Sequence, residues 1–307
     1  MRNELSGVMI LDKPANMSSA QALSKVKRLL GARKAGHAGT LDPFATGVLI
    51  CCINQATRLA RFFLHGEKTY EAVLHLGIET DTQDATGQVI RRQEPPATSP
   101  EHLMEIISGF QGEQMQLPPV YAALKHEGTP LYRLARQGNP VQKPARPITV
   151  KAIEVTKISV PEIHFTVTCS SGTYVRTLCA DMGQAVGCGG HLLRLRRTAG
   201  SGFSIENGHT FETLEALAPD SRMTRTLIAP ATAISHMPTF IADADLLSKV
   251  AHGRKLDPSH IPPALIQRPA DQTLADHVKV VDAELNLRAV LKLSPGGAAY
   301  DYCCVFH

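Results

Sequence analysis

Several features that mark membrane, secreted and metal-binding proteins are missing from this 307-residue sequence. No run of about 18 apolar residues occurs, which is the length that a membrane-spanning helix needs, and the longest apolar stretch is VLICCI at 48–53. The first residues, MRNELSGVMILDKP, reach an aspartate and a lysine too soon for a signal peptide. The seven cysteines are odd in number and none forms a C-x-x-C, so neither a disulfide framework nor a zinc knuckle is indicated. We therefore expect a cytoplasmic protein with reduced, buried thiols and no membrane partner.

The sequence also lacks the short motifs of several common enzyme classes. It contains no G-x-x-x-x-G-K-[ST] and no G-x-G-x-x-G, so nucleotide-binding loops that cradle phosphates have no support. Neither G-x-S-x-G nor H-E-x-x-H occurs, which argues against a hydrolase nucleophile elbow and a zinc protease helix. The acidic turn DTQDATG at 81–87 lacks the aspartate spacing of a calcium loop. No metal site is predicted.

The composition is that of a folded protein. Hydrophobic residues make up 43% and charged residues 20%, which disfavours long disorder and coiled coil. The length suggests about two domains, and one domain with an appendage is equally allowed. We place their boundary near residue 236, so that a large domain covers 1–235 and a small one covers 236–307.

The net charge of +4 is unevenly distributed. Basic residues concentrate in three stretches before residue 236 that contain almost no acidic residue. These stretches hold Lys25, Lys27, Arg28, Arg33 and Lys34; Arg194, Arg196 and Arg197; and Lys125, Arg133, Arg136, Lys143 and Arg146. Such clusters suit a phosphate backbone, although each alone is more often a solvated face. Two explanations of the basic clusters therefore have equal support: they bind a nucleic acid, or they are charged surfaces that contact only solvent.

Hydrophobic spacing predicts the main elements. Strands are predicted at 8–11, 69–76, 148–160, 163–169 and 191–197. Helices are predicted behind a capping box at Ser18, behind Ser99 to about 109, from 173 to about 186, and near 243–252. Residues 36–47 are predicted to form a rigid loop, and 116–147 a long connection with a functional reason for its length.

Asp42 is the candidate active-site residue. An isolated aspartate before a proline is usually a turn former. Here, however, Asp42 is bracketed by Gly36, Gly39 and Gly47, with His37 nearby. Three glycines give the loop more backbone freedom than one turn requires. This makes Asp42 a candidate site residue rather than only a turn former.

Seven motifs in a fixed order resemble the TruB family of tRNA pseudouridine synthases. They are DKP and MSS within 12–19, GHAGTLDPFATG at 36–47, KTY at 68–70, TDTQDATG at 80–87, PPVYAALK at 118–125, CSSGTYVRTL at 169–178 and GCGGHLLRLRR at 187–197. The resemblance implies an α+β fold, the pseudouridine synthase fold, with a mixed, largely antiparallel sheet, flanking helices and a small C-terminal PUA-like domain. Segment 122–147 resembles the RNA-clasping insertion of standalone bacterial members, so no guide RNA is expected.

The resemblance implies isomerisation of the T-loop uridine of tRNA, at position 55, to pseudouridine. The base must leave C1′ through N1 and rejoin it through C5, with loss of the C5 proton. This change imports no atom and involves no net oxidation, so no cofactor and no metal is expected. Because a base inside a folded loop cannot present C1′ and C5 to a carboxylate, the enzyme must flip it out. We expect a monomer whose partner is tRNA.

The motif matches assign a role to each candidate residue. The catalytic residues are Asp42, Arg176 and Tyr70. Asp42 would act as a nucleophile toward C1′ or C6, or as a base in an elimination, and an adjacent Arg176 would lower its pKa. The substrate-binding residues are Tyr70, which would stack on the base and relay the C5 proton, His37 as a wedge in the T loop, and Tyr174 and Leu195 as pocket walls. Asp84, Lys13 and Pro14 would support the site, and Lys125, Arg133, Arg136, Lys143 and Arg146 would contact the RNA backbone.

Two functions of other classes stay open from the sequence. A non-catalytic RNA-binding protein could assist tRNA folding, a role that the resemblance also allows beside catalysis. A hydrolase could use Asp42 and Asp84 as a carboxylate pair.

Overall fold

The computed structural model describes residues 5–217, 221–266 and 276–306. Its strands are β1 Gly7–Lys13, β2 Ala35–Ala38, β3 Thr46–Ile53, β4 Lys68–Leu76, β5 Ile78–Thr80, β6 Val89–Arg92, β7 Gly112–Gln116, β8 Lys125–His126, β9 Thr129–Pro130, β10 Arg146–Ser159, β11 Glu162–Cys169, β12 Gly190–Gly200, β13 Phe203–Ser204, β14 Thr239–Ile241, β15 His277–Val281, β16 Leu287–Leu293 and β17 Tyr300–Val305. Its α-helices are α1 Ser19–Leu29, α2 Pro100–Ser108, α3 Leu131–Arg136, α4 Val175–Val186, α5 Phe211–Leu217, α6 Pro230–Ala233 and α7 Ala244–Ala251. Short 3-10 helices cover Asn54–Phe63, Ile205–Asn207, Ser221–Thr226 and Pro263–Ile266.

The main sheet has the strand order β1-β3-β12-β4-β11-β10-β7, with β2 added beside β3 and β13 beside β12. Of its described strand pairs, only β3 with β12 is parallel. A mixed, largely antiparallel sheet with flanking helices is therefore confirmed.

Most elements lie where the sequence predicts them. The capping box at Ser18 is present, with the Ser18 hydroxyl accepting from the Gln21 amide and the Gln21 side chain accepting from the Ser18 amide. The prediction of a loop over 36–47 is wrong at both ends, because Ala35–Ala38 pairs with β3 and Thr46 already belongs to β3. The long connection 116–147 contains a two-stranded hairpin, β8 with β9, followed by α3.

The apolar run at 48–53 is explained by burial on both faces of the sheet. Leu49, Cys51 and Ile53 pack toward α1 and α5, whereas Val48, Ile50 and Cys52 pack toward the 3-10 helix Asn54–Phe63 and the C-terminal sheet. A strand that is buried on both faces has no reason to alternate polar and apolar residues. The opposite end of the sheet is covered on one face by α2 and α4.

A second sheet follows residue 236, in the order β14-β15-β16-β17, with α7 packed on it. Val281, Leu287, Val290 and Phe306 of this part join the same apolar cluster as Val8 and other residues of β1 and β3. The C-terminal sheet is therefore tied to the main one by a shared core. The boundary at 235/236 and the PUA-like character of this part stay predictions.

The seven cysteines are free thiols, of which five are buried and Cys303 and Cys304 are half-buried. Within the described ranges, no helix combines the length and the apolar character needed to cross a bilayer.

Gly47 allows the close approach of β3 and β12 beside the loop that carries Asp42. Gly47 has a φ of +101° and pairs with Arg197 in the parallel ladder. A Cβ at this position would overlap the carbonyl oxygen of Arg197. Both the backbone conformation and the contact therefore require glycine.

We expect Gly47→Ala to lower the free energy of unfolding by at least about 2 kcal/mol, because backbone strain and overpacking each cost roughly 1–3 kcal/mol. Chemical denaturation measures the change. Gly36→Ala is the matched control, since a Cβ there would lie 3.8 Å from Thr57 Cγ2, an ordinary contact. Equal stability of the two variants would contradict this account of the β3–β12 contact.

Candidate active site

The loop that carries Asp42 is held by two side chains that bond to its backbone. The Ser19 hydroxyl accepts from the Leu41 amide at 2.9 Å and donates to the Leu41 carbonyl at 3.0 Å. The Lys13 ammonium is fully buried and donates to the carbonyls of Pro43, Met17 and Pro14. Burial lowers the pKa of Lys13 to about 8, with Arg197 adding to the effect and Asp42 opposing it. These contacts fix the backbone on both sides of Asp42.

The arrangement around Lys13 agrees with a supporting role for this residue, but Pro14 contributes differently from the prediction. Pro14 is exposed at the surface. Its ring therefore does not pack beneath the active-site loop, and only its carbonyl takes part, as an acceptor for Lys13 at 2.8 Å.

The Arg176 guanidinium faces two carboxylates. Its Nη2 lies 3.6 Å from Asp42 Oδ2 and its Nη1 lies 3.5 Å from Asp84 Oδ2. Nη2 also donates to the Tyr121 carbonyl at 3.0 Å. Arg176 and Asp84 are 5% and 4% exposed, whereas Asp42 is 34% exposed. Only one of the two acids can therefore reach a substrate.

Asp84 is held by its own turn. One carboxylate oxygen, Oδ1, accepts from the hydroxyl groups of Thr82 and Thr86 and from the Thr86 amide. The turn is docked on β12, because the Leu192 amide donates to the Gln83 carbonyl and the Leu192 carbonyl accepts from the Ala85 amide. The other oxygen, Oδ2, is left to face Arg176.

The pKa of Asp42 is raised above the ordinary value for an aspartate. Burial is the largest cause and the negative charge of Asp84 adds to it, while Arg176 and Lys13 act in the opposite direction. The expectation that Arg176 would lower the pKa is correct for that one interaction and wrong for the sum, because desolvation outweighs the attraction.

Aromatic and apolar side chains surround the carboxylate. Tyr70 lies on β4 and is buried. The Tyr174 ring lies between two guanidinium groups, 5.0 Å from that of Arg146 and 5.6 Å from that of Arg176. Together with Asp42, Leu195 and Lys68, these residues line a cavity of about 380 Å³, a size within the range of small-molecule sites.

A larger groove of about 650 Å³ lies next to this cavity. Leu195 lines both, but Asp42, Tyr70 and Arg176 line only the smaller one. The three candidate catalytic residues therefore share the smaller cavity.

His37 is the one predicted substrate-binding residue outside the cavity wall. It belongs to β2, where it pairs with Cys51. Its Nδ1 is buried without a hydrogen-bond partner among the described residues. Burial, with a contribution from Arg197, lowers the pKa of His37, so its ring is neutral at pH 7. A neutral ring is suited to stacking.

The basic clusters separate into different environments. Lys125, Arg133 and Arg136 are exposed on the hairpin and α3, and Lys143 lies 3.2 Å from His126 Nδ1. Buried Ala122 and Leu131 anchor this segment. Arg146 donates to the Gly172 carbonyl and lines the cavity, and its contact with the RNA backbone stays a prediction.

The cluster at 194–197 does not present a basic surface. Arg194 pairs with Glu162 at 3.0 Å, and Arg196 makes a two-pronged bond to Asp12 at 2.8 and 3.0 Å. Arg197 is buried in the cavity wall. Arg194 and Arg196 share one face of the strand and line the same groove, but each is already paired with a carboxylate, so the cluster does not offer two free charges to a phosphate.

Sequence reasoning missed two residues that shape the site. Gln116 is buried and exchanges hydrogen bonds with the backbone of Tyr174, at 2.8 Å to its amide and 3.1 Å to its carbonyl. Arg197 bonds to the Val48 and Gly39 carbonyls. For Gln116 the sequence carries no signal, and for Arg197 the only signal was its membership of a basic cluster.

Comparison with known proteins gives a consistent result. Residues 27–175 match the N-terminal domain of the TruB family pseudouridylate synthases, and residues 176–234 match the tRNA pseudouridylate synthase B C-terminal domain. A tRNA pseudouridine synthase B of Burkholderia mallei (strain NCTC 10247) is 41% identical over 96% of this chain and 95% of its own. One of Ralstonia pickettii (strain 12J) is 44% identical over 83% of this chain and 81% of its own. Among solved structures, a Cbf5-Nop10-Gar1 complex matches with a TM-score of 0.72 and 26% identity, over 99% of this chain and 85% of that one.

The charges around Asp42 generate a titration test. We expect the Asp42 carboxyl signal of protein labelled with [¹³Cγ]aspartate to titrate above the range of ordinary aspartates, with Asp42→Asn identifying the signal. Asp84→Asn removes the like charge that raises the pKa of Asp42, so the midpoint should fall. Asp81→Asn is the control, because Asp81 bonds to the Tyr121 hydroxyl and the Gln88 amide and is not among the charges that shift the pKa of Asp42. A midpoint that stays fixed or rises in Asp84→Asn would contradict the assignment.

Proposed function

The chain belongs to the TruB family of pseudouridylate synthases, and from this premise we propose that its substrate is tRNA and its target the T-loop uridine at position 55. The tRNA pseudouridine synthases B to which it is similar support the choice of RNA. The observation that carries the proposal is the partly exposed Asp42 carboxylate at a nucleoside-sized cavity, opposite a buried Arg176.

The reaction exchanges one glycosidic bond for another. The N1–C1′ bond breaks, a C5–C1′ bond forms, the C5 proton leaves and N1 takes up a proton, so atoms and charge balance. Asp42, when ionised, supplies the attacking or proton-accepting oxygen, toward C1′, toward C6 or in an elimination. Arg176 orients that oxygen through the contact at 3.6 Å.

The cavity walls would hold the base while it turns. Tyr70 and Tyr174 supply flat surfaces for stacking and Leu195 supplies an apolar contact. The Tyr70 hydroxyl is the group we assign to relay the C5 proton. His37 would enter the T loop as a wedge, in keeping with its neutral ring.

Flipping a base out of a folded loop costs roughly a few kcal/mol, and contacts elsewhere on the RNA must offset that cost. We assign this task to Lys125, Arg133 and Arg136, which are exposed on the segment beside the cavity, and to the half-buried Lys143. We further propose that the protein works without a guide RNA, as a monomer in the cytoplasm, and that the same contacts let it assist tRNA folding.

A hydrolase with Asp42 and Asp84 as a carboxylate pair has less support. Asp84 is 4% exposed, accepts three hydrogen bonds on one oxygen and faces Arg176 with the other. It has no free oxygen to offer a substrate.

Asp42→Asn tests the catalytic assignment. We expect the rate of tritium release from [5-³H]uridine-labelled tRNA to fall by at least about a hundredfold, because the amide can neither attack nor accept the proton. The affinity for tRNA, measured by filter binding, should stay within about threefold, and the mass of the nucleoside should be unchanged by the wild-type reaction. Release at the wild-type rate by Asp42→Asn, or free uracil from the wild type, would refute the proposal. Asp81→Asn again serves as the matched control.

The salt dependence of binding tests the role of segment 122–147. We expect Arg136→Gln and Lys143→Gln each to flatten the slope of log affinity against log salt by roughly 0.7–0.9, the value for one lost phosphate contact. Lys157→Gln is the control, since Lys157 is exposed near the far end of β10. A slope that responds to neither change would place the RNA contacts elsewhere.

A further inference from the structure

Arg197 is a buried cation of the active site to which the mechanism above gives no task. It is 2% exposed, although it lines the cavity that contains Asp42. Its Nε donates to the Val48 carbonyl at 2.6 Å and its Nη2 donates to the Gly39 carbonyl at 3.0 Å. Removing a buried charge from water is unfavourable unless every donor is used, so its presence requires an explanation.

Tyr70 lies directly across the sheet from Arg197. The two residues are opposite each other in the β12–β4 ladder, so their side chains share one face of the sheet, and both line the cavity that contains Asp42. One planar group therefore joins β3 to the start of the loop that carries Asp42, and it lies beside the aromatic side chain of Tyr70. A guanidinium can make two such bonds in fixed directions and still face the ring, which an ammonium on a flexible stem cannot do in the same geometry.

The charge of Arg197 also acts on its neighbours. It contributes to the lowered pKa of Lys13, His37 and Lys68, and in each case its contribution is smaller than that of burial. For Tyr70 it opposes the rise in pKa that burial causes. The structure around Arg197 is closely fitted, because a Cβ at Gly39, whose φ is +78°, would lie 3.2 Å from Nη1.

We propose that Arg197 is a positioning residue, which fixes the phenolic oxygen of Tyr70 and holds it in register with the loop that presents Asp42. The role of Tyr70 in the reaction rests on the proposed function. The effect of Arg197 on Tyr70 does not depend on that function and can be measured in the free protein. Arg197 acts on the substrate only through Tyr70 and the loop.

The link is tested without substrate, in protein labelled with [¹³Cζ]tyrosine. The chain has six tyrosines, and Tyr70→Phe identifies the Tyr70 signal. We expect Arg197→Lys to shift that signal and to raise its titration midpoint, because the guanidinium that acts to lower the pKa of Tyr70 is replaced by an ammonium that cannot occupy the same place. Arg194→Lys on the same strand, where Arg194 pairs with Glu162, should leave the signal unchanged. A Tyr70 signal that is the same in Arg197→Lys and in the wild type would overturn the proposal.

The consequence for the reaction is tested on labelled tRNA under single-turnover conditions. We expect Arg197→Lys to lower the rate of tritium release about tenfold to a hundredfold, as small errors of placement do, while the affinity for tRNA stays within about twofold. A loss confined to affinity would overturn the positioning role. If the wild type released no tritium, the proposed function would fail while the spectroscopic result would stand.

Melting curves accompany both measurements. Arg197→Gln, which keeps a planar donor, repeats the test if the lysine variant does not fold. Loss of the folded state in both variants would assign Arg197 to stability alone and overturn the proposal.

Discussion

A buried guanidinium between two carboxylates is the interaction on which the site depends. Arg176 lies 3.5 Å from Asp84 and 3.6 Å from Asp42, and a buried cation without these partners would be strongly unfavourable. The two acids differ in what else holds them. Asp84 is saturated by the hydroxyl and amide groups of its turn, while Asp42 keeps a third of its surface open. The same cation thus has a fixed, buried partner on one side and a partly exposed one on the other.

Buried donors that bind backbone carbonyls give this site its rigidity. Lys13 holds the carbonyls around the Asp42 loop, and Arg197 holds those of Gly39 and Val48. The bonds to Pro14, Met17, Pro43 and Gly39 fix backbone that lies outside the strands, and the bond to Val48 ties this backbone to β3. The desolvation that raises the pKa of Asp42 comes from the same enclosure. Rigidity and a shifted carboxylate are therefore two results of one arrangement.

The basic residues show how one chemical type serves different ends. Arg176 and Arg197 are internal and organise the cavity, Arg194 and Arg196 pair with acids two strands away on β11 and β1, and Arg146 lies over the ring of Tyr174. Lys125, Arg133 and Arg136 are exposed on the segment that follows β7. Net charge and clustering cannot separate these cases, because the partner of each basic residue comes from a distant part of the chain, such as Glu162 for Arg194 and Asp12 for Arg196.

The sequence by itself determined the local elements and the identity of the candidate acid. Local features could be predicted because they depend on residues that are close together in the sequence. They are the capping box at Ser18, the alternation through β4 and the glycines around Asp42. Only the tertiary structure decided that Asp84 would face Arg176 rather than a substrate, that Pro14 would be exposed, and that Arg146 and Arg197 would enter the cavity wall. These outcomes depend on the register of strands far apart in the chain, such as β12 with β3 and β4. That register is set by burial summed over the whole sheet, which no single stretch of sequence contains.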